Sequence, residues 1–227
     1  DRALAPHEID ELLHGETRRL TVAFDINGGE QAPTNTVVIM GAPYGELPQP
    51  SRTGYTFGGW FASTGGVAFA IAADTLVTLA EDHTLTAAWT PNIYTVTFDA
   101  NGGEQAPTNT VVIMGAPYGE LPQPTRTGYT FGGWFASTGG VAFAIAADTQ
   151  VTLAEDHTLT AAWTPNTYTV TFDADGGEVT PASKTVTFDA AYGALPEPSA
   201  PPASRLAWLF GGWAAADGQP VTDATFV

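Results

Sequence analysis

Oxygen-rich turns, scattered histidines and a run of aromatics are the groups in this 227-residue chain whose types and spacing could do chemistry. Asp25-Ile26-Asn27-Gly28-Gly29-Glu30, with a close copy from Asp99 to Glu104, gathers carboxylates and an amide faintly like a calcium loop. A calcium loop, however, needs six to eight oxygens at set positions, closed by a distal bidentate acid. Asn-Gly flanked by strand-like residues is better read as a tight turn. His7, Glu11 and His14 stand at i, i+4 and i+7, which is not the His-Glu-x-x-His arrangement of a zinc helix. His83 and His157 sit in matching Asp-His-Thr turns without a cysteine or second histidine beside them. No Gly-x-Ser-x-Gly elbow is present. The expectation is a chain with no catalytic residue, metal or cofactor.

The aromatics remain. Tyr55, Phe57 and Trp60 recur as Tyr129, Phe131 and Trp134, and Trp208 and Trp213 answer them near the C-terminus. Packing in small β units accounts for most such residues. If exposed as a planar row they would instead stack on sugar rings, so Tyr55, Trp60, Tyr129, Trp134, Trp208 and Trp213 are the candidate ligand contacts.

What must position these groups is a repeat. Residues 21–91 and 95–165 match at an offset of 74, differing only at Ala23/Thr97, Ile26/Ala100, Ser51/Thr125 and Leu76/Gln150. A divergent third copy keeps Phe172, Tyr192 and Trp213 where the second has Phe98, Tyr118 and Trp134. A fixed period of this length signals tandem supersecondary units. The expected organisation is an N-terminal segment 1–17, repeat 1 over 18–91, repeat 2 over 92–165 and repeat 3 over 166–227. In the first segment, Pro6, then Ile9, Leu12 and Leu13 at helical spacing, and Gly15 at the stop position predict a short helix.

Within a repeat the pattern is β. Tyr94, Val96 and Phe98 alternate with Thr, as in a half-buried strand. Thr110–Met114 is continuously apolar and predicts a well-covered strand. Residues 115–122 have room for one helical turn before Pro122. Tyr129–Phe135 is an aromatic strand whose Gly132-Gly133 pair predicts a bulge. Val141–Ile145 fits either a strand or a helical turn. Thr158–Trp163 closes the unit with Leu159, Ala161 and Trp163 on one face. Thr90-Pro91-Asn92 is too short a linker to let neighbouring units swing.

Composition agrees: 44% hydrophobic, with 25 Gly and 17 Pro, suits short strands joined by turns. A net charge of −17 repels phosphate backbones, so no nucleic-acid partner is expected. It also disfavours anionic lipid. No apolar run reaches 18 residues, and membrane insertion is not expected of this chain. There is no cysteine, and the only lysine is Lys184, so repeats 1 and 2 contain no lysine for a covalent cross-link.

The ordered set Val96–Gly103, Tyr118–Pro122, Arg126–Trp134 and Asp156–Trp163 resembles the internalin-type B-repeat, or Listeria–Bacteroides repeat, family. The resemblance spans about residues 18–227. It implies mainly β, β-grasp-like (α+β) small domains in tandem, arranged as an elongated rod, in bacterial cell-surface or secreted proteins. It brings no catalytic residues with it. Its leading implication is a non-catalytic stalk or spacer, as in an adhesin. The alternatives are a module that binds host or matrix glycan or glycoprotein through exposed aromatics, and an accessory region of a secreted enzyme. Repeat 3 departs from the pattern: it has an insertion around Ser199–Ala203 and stops at Val227, before a closing Thr-Leu-Thr-Ala-Ala-Trp segment. The expectation is that the missing strand's place is taken by a neighbouring chain, by segment 1–17, or by Thr222–Val227.

Overall fold

The computed structural model describes Pro6, Ile9 and residues 18–105, 107–200 and 209–227. The expected N-terminal helix lies outside the described residues except for Pro6 and Ile9, which are helical. The rest is a tandem series of small sheets: two of five strands, then two of two strands. Two compact units divide the chain. The first holds residues up to 96, 110–119 and 148–157; the second holds 97–109, 120–147 and 158–227.

The first sheet comprises β1 (Arg19–Asp25), β2 (Thr36–Ile39), β3 (Tyr55–Thr64), β4 (Val67–Ile71) and β5 (His83–Pro91). Its order is β2-β1-β5-β3-β4. The first and last strands are parallel neighbours, Val22 opposite His83 through Asp25 opposite Thr86. The other pairings are antiparallel. Alternation decides which side chains enter the core: Leu20 and Val22 from β1, Val38 from β2, Trp60 and Ala62 from β3, and Leu85 and Ala87 from β5. Ile71, Val77 and Tyr44 complete it. No described polar or charged residue is buried. Such a core holds the unit by apolar burial, at about 25 cal/mol per Å².

The second sheet repeats the first with β6 (Ile93–Asp99), β7 (Thr110–Ile113), β8 (Tyr129–Thr138), β9 (Val141–Ile145) and β10 (His157–Pro165), in the order β7-β6-β10-β8-β9. Val141–Ile145, ambiguous in sequence, is a strand antiparallel to β8. The double glycine is a bulge: pairing slips between Phe57 and Trp60, and the copy slips between Ala162 and Trp163.

Three expectations need correction. Thr110–Ile113 is not a covered strand but a sheet edge, with Val111 68% exposed; only Val112 faces the core. No helical turn forms at 115–122. Pro117 bridges to Gln150 and the Tyr118 amide donates to the Thr149 carbonyl, so the backbone groups go to a strand-like contact instead. The Asn-Gly turn is real: Asn27 and Gly28 have φ of 46° and 85°, and the Gly29 amide donates to the Ile26 carbonyl. It does not, however, join adjacent strands directly, because residues 26–35 separate β1 from β2.

Repeat 3 contains β11 (Thr167–Thr171) antiparallel to β12 (Ser183–Thr187), and β13 (Trp213–Ala214) antiparallel to β14 (Pro220–Val221). Among the described residues no strand stands where β5 and β10 stand in the first two sheets. Thr222–Val227 does not slip into that place. The Val227 amide donates to Ala190, and Tyr192 donates to Thr225. Ala191 bridges Phe226 as Pro43 bridges Leu76 in repeat 1. These bonds hold the tail where the segment around Leu76 lies in repeat 1, rather than in the place of a closing strand.

Candidate functional site

The oxygen-rich turn is a closed hydrogen-bonded clip. Asp25 Oδ1 accepts from the Asn27 amide at 2.9 Å, and Asn27 Nδ2 donates to the Ala87 carbonyl at 3.2 Å. The Glu30 carboxylate accepts from the Thr53 amide at 2.7 Å, from the Thr53 hydroxyl and from Ser51 Oγ at 3.0 Å. The Thr53 hydroxyl and amide, then Ser51, hold Glu30 below its ordinary pKa. Repeat 2 has the same clip around Asp99, Asn101 and Glu104. Each carboxylate is committed to protein donors, and no cluster of three metal-ligating side chains occurs among the described residues. His7, Glu11 and His14 lie outside the described residues.

His83 is a structural link. Its Nδ1 donates to the Glu81 carbonyl at 2.8 Å, and Nε2 lies within hydrogen-bonding distance of Tyr44 Oη at 2.7 Å. Burial pushes the Tyr44 phenol above its ordinary pKa. Tyr118 and His157 repeat the arrangement at 2.7 Å.

The aromatic candidates separate into two groups. Trp60 and Trp134 are each 2% exposed, packed against Phe24 and Phe98 at ring distances of 4.8 Å, and donate to the Pro48 and Pro122 carbonyls. Their ring faces are turned into the core, where no sugar reaches them. Trp213 is half-buried against Phe172 and Phe210 and donates to Pro196. Trp208 lies outside the described residues. Tyr55 and Tyr129 are half-buried, each under a guanidinium, Arg52 and Arg126, at 3.9 Å.

Those two tyrosines belong to a joint that sequence reasoning missed. In the first unit, one residue, Asn92, separates β5 from β6. Its amide donates to the Gly54 carbonyl at 2.9 Å, and its own carbonyl accepts from the Met114 amide at 2.9 Å. Its Oδ1 accepts from Thr56 Oγ1 at 2.7 Å. Met114 lies so close over Gly54 that a Cβ there would meet it at 2.6 Å, and Tyr55 Oη stands equally close over Gly115. In the second unit Asn166 makes the same three bonds with Gly128, Phe188 and Thr130. Phe188 takes the place of Met114, packing over Gly128 and edge-on to Tyr129 at 5.5 Å. Tyr129 Oη also donates to Asp189 at 3.0 Å, and that bond raises its phenol's pKa. The sequence signal was available: Asn recurs alone between Pro and a strand at both boundaries.

A repeating β unit, a fixed asparagine joint and turns closed on themselves define a class of tandem structural repeat. The Listeria–Bacteroides repeat domain matches residues 21–88, 94–162 and 168–226, and the chain belongs to that family. Internalin H of Listeria monocytogenes serovar 1/2a is 40% identical over 126 residues, which is 55% of this chain and 22% of that protein. A protein of Evansella cellulosilytica named "Putative Gly-rich membrane protein" is 32% identical over 164 residues, 71% of this chain and 18% of its own length. The chain therefore spans about a fifth of the curated relatives it matches. It is a bacterial surface-protein type of repeat region.

Proposed function

We propose that this chain is a non-catalytic spacer in a cell-surface or secreted bacterial protein, holding a partner domain of that protein away from its attachment point. The observation that carries this reading is the asparagine joint, built with the same three hydrogen bonds at Asn92 and at Asn166. A spacer needs its direction fixed at each boundary. A one-residue link whose amide, carbonyl and side chain are all bonded leaves few free torsions there. The long strands of a unit, β1 with 7 residues and β3 with 10, span roughly 23–33 Å at ~3.3 Å per residue, so three units in line would give a rod of roughly 70–100 Å. Small-angle scattering tests it: an elongated particle is expected, and an Asn92→Gly/Asn166→Gly variant should broaden the distance distribution. A compact particle, or a variant indistinguishable from wild type, would overturn the reading.

A second reading has its own observation. In the second unit an open cavity of about 380 Å³ is lined by Asp173, Asp175, Phe210 and Trp213. Carboxylates beside an aromatic face are groups suited to a sugar, so repeat 3 is where a glycan- or glycoprotein-binding module would act. Titration with host-type oligosaccharides, followed by Trp fluorescence, tests it. An unchanged signal at millimolar ligand excludes that binding.

A further inference from the structure

The fourth strand of each five-stranded sheet has a sequence unlike its position. β4 (Val67-Ala68-Phe69-Ala70-Ile71) and β9, of identical sequence, end their sheets. Each is apolar on both faces, which is the pattern of a strand covered on both sides. Yet Val67 is 69% exposed and Val141 68%, and Ala68, Ala70, Ala142 and Ala144 are exposed. Natural edge strands are blunted by charge, proline or brevity. The opposite edge obeys that rule: β2 has four residues between Pro33 and Pro43. β4 and β9 do not. Residues 53–73 and 127–147 contain neither a charge nor a proline, in a chain of net charge −17.

We propose that β4 and β9 are self-association edges, each pairing antiparallel with the same sequence in a second copy of this chain. Charge argues for this occupant. Two copies of so acidic a protein repel over most of their surface, and these neutral hairpins are where they approach without that cost. Register argues for it too. A two-fold through Phe69 sets Phe69 opposite Phe69, Val67 opposite Ile71 and Ala68 opposite Ala70, so both faces meet apolar on apolar. Addition of a strand to a sheet edge then supplies the backbone hydrogen bonds. A five-residue edge is small beside the ~1,200 Å² of a stable complex, so the association is weak, with a Kd on the order of 100 μM.

Sedimentation equilibrium of the full chain from about 10 to 500 μM would read this, with hydrogen exchange at the highest concentration. The average mass should rise towards the dimer or beyond, with new protection at 67–71 and 141–145. Ala68→Asp/Ala142→Asp places a carboxylate on the exposed face of each strand and should weaken association at least ten-fold while leaving the circular dichroism unchanged. Val67→Asp/Val141→Asp serves the same purpose if the first pair misfolds. A wild type that stays monomeric overturns the proposal. So does association undiminished in both folded variants, or protection that appears at 168–172 instead. Edge amides already protected in the monomer would mean that the chain covers its own strand, and would overturn it as well.

Discussion

Trp134→Ala isolates what holds one repeat together. The indole is 2% exposed, lies 4.8 Å from the Phe98 ring and 5.6 Å from that of Phe131, and donates to the Pro122 carbonyl at 2.8 Å. Deleting a buried tryptophan costs about 3–5 kcal/mol from lost transfer and the cavity left behind. Orphaning the Pro122 carbonyl adds roughly 1 kcal/mol. A unit of this size has only about 4–11 kcal/mol in total at 0.05–0.15 kcal/mol per residue. The substitution therefore removes about half or more of it. Hydrogen exchange with mass spectrometry is the assay, because the four differing positions let peptides of the two near-identical repeats be told apart. Amides of Val96 and Leu159 should lose protection by several orders of magnitude, while Val22 and Leu85 keep most of theirs. The half-buried Trp213 provides the internal scale: Trp213→Ala should cost less. If Val96 and Leu159 exchange as in wild type, the tryptophan is not the centre of the core and the packing argument is wrong.

Glu30 and Glu104 have pKa values lowered in the fold, mainly by hydrogen bonds from Thr53 and Thr127. Their contribution is therefore complete above the ordinary value of 4.5 and fades as pH falls through the depressed one. A Glu30→Gln/Glu104→Gln variant should show a flatter loss of melting temperature on acidification from pH 5 to 3. Gly103→Ala brings a Cβ within 2.9 Å of the Trp163 ring and 3.1 Å of the Ala100 and Thr125 carbonyls. Two of those neighbours are backbone and cannot yield, so denaturation should show a loss of about 1–3 kcal/mol. Appending the sequence of residues 155–165 after Val227 should raise the exchange protection of β11, since it restores a strand of the type that pairs β1 and β6; unchanged protection would show that the sheet has no place for it.

The repeat, most of the strands along each unit and the bulge were legible in the sequence because they rest on local signals. Period-two alternation marks Tyr94, Val96 and Phe98, and a double glycine marks the slip. Coverage was not legible. Val111–Met114 and Val67–Ile71 are equally apolar runs, and nothing local says that each ends a sheet, since the position of a strand depends on which partner lies beyond it. Tyr55 and Trp60 were read as one aromatic cluster, yet they serve a joint and a core. The bulge at Gly58-Gly59 changes which face the strand presents between them. Asn92 was visible only as part of a short linker, because its three partners come from residues 54, 56 and 114.

The parallel neighbourhood of β1 and β5 has a mechanical consequence. The chain enters a repeat at the start of β1 and leaves at the end of β5, passing directly through Asn92 into β6. Tension along the backbone therefore pulls these two adjacent strands in opposite senses. The pairs from Val22–His83 to Asp25–Thr86 are loaded in shear, all at once, instead of being opened one after another. Rupture then requires several hydrogen bonds to fail together, along with the Leu20–Leu85 core beneath them. In repeat 3 no described strand pairs parallel with β11, and the same pull meets only the antiparallel β11–β12 hairpin and the contacts of Phe172 and Trp213. Under load, the described part of this chain has two strong links and one that gives first.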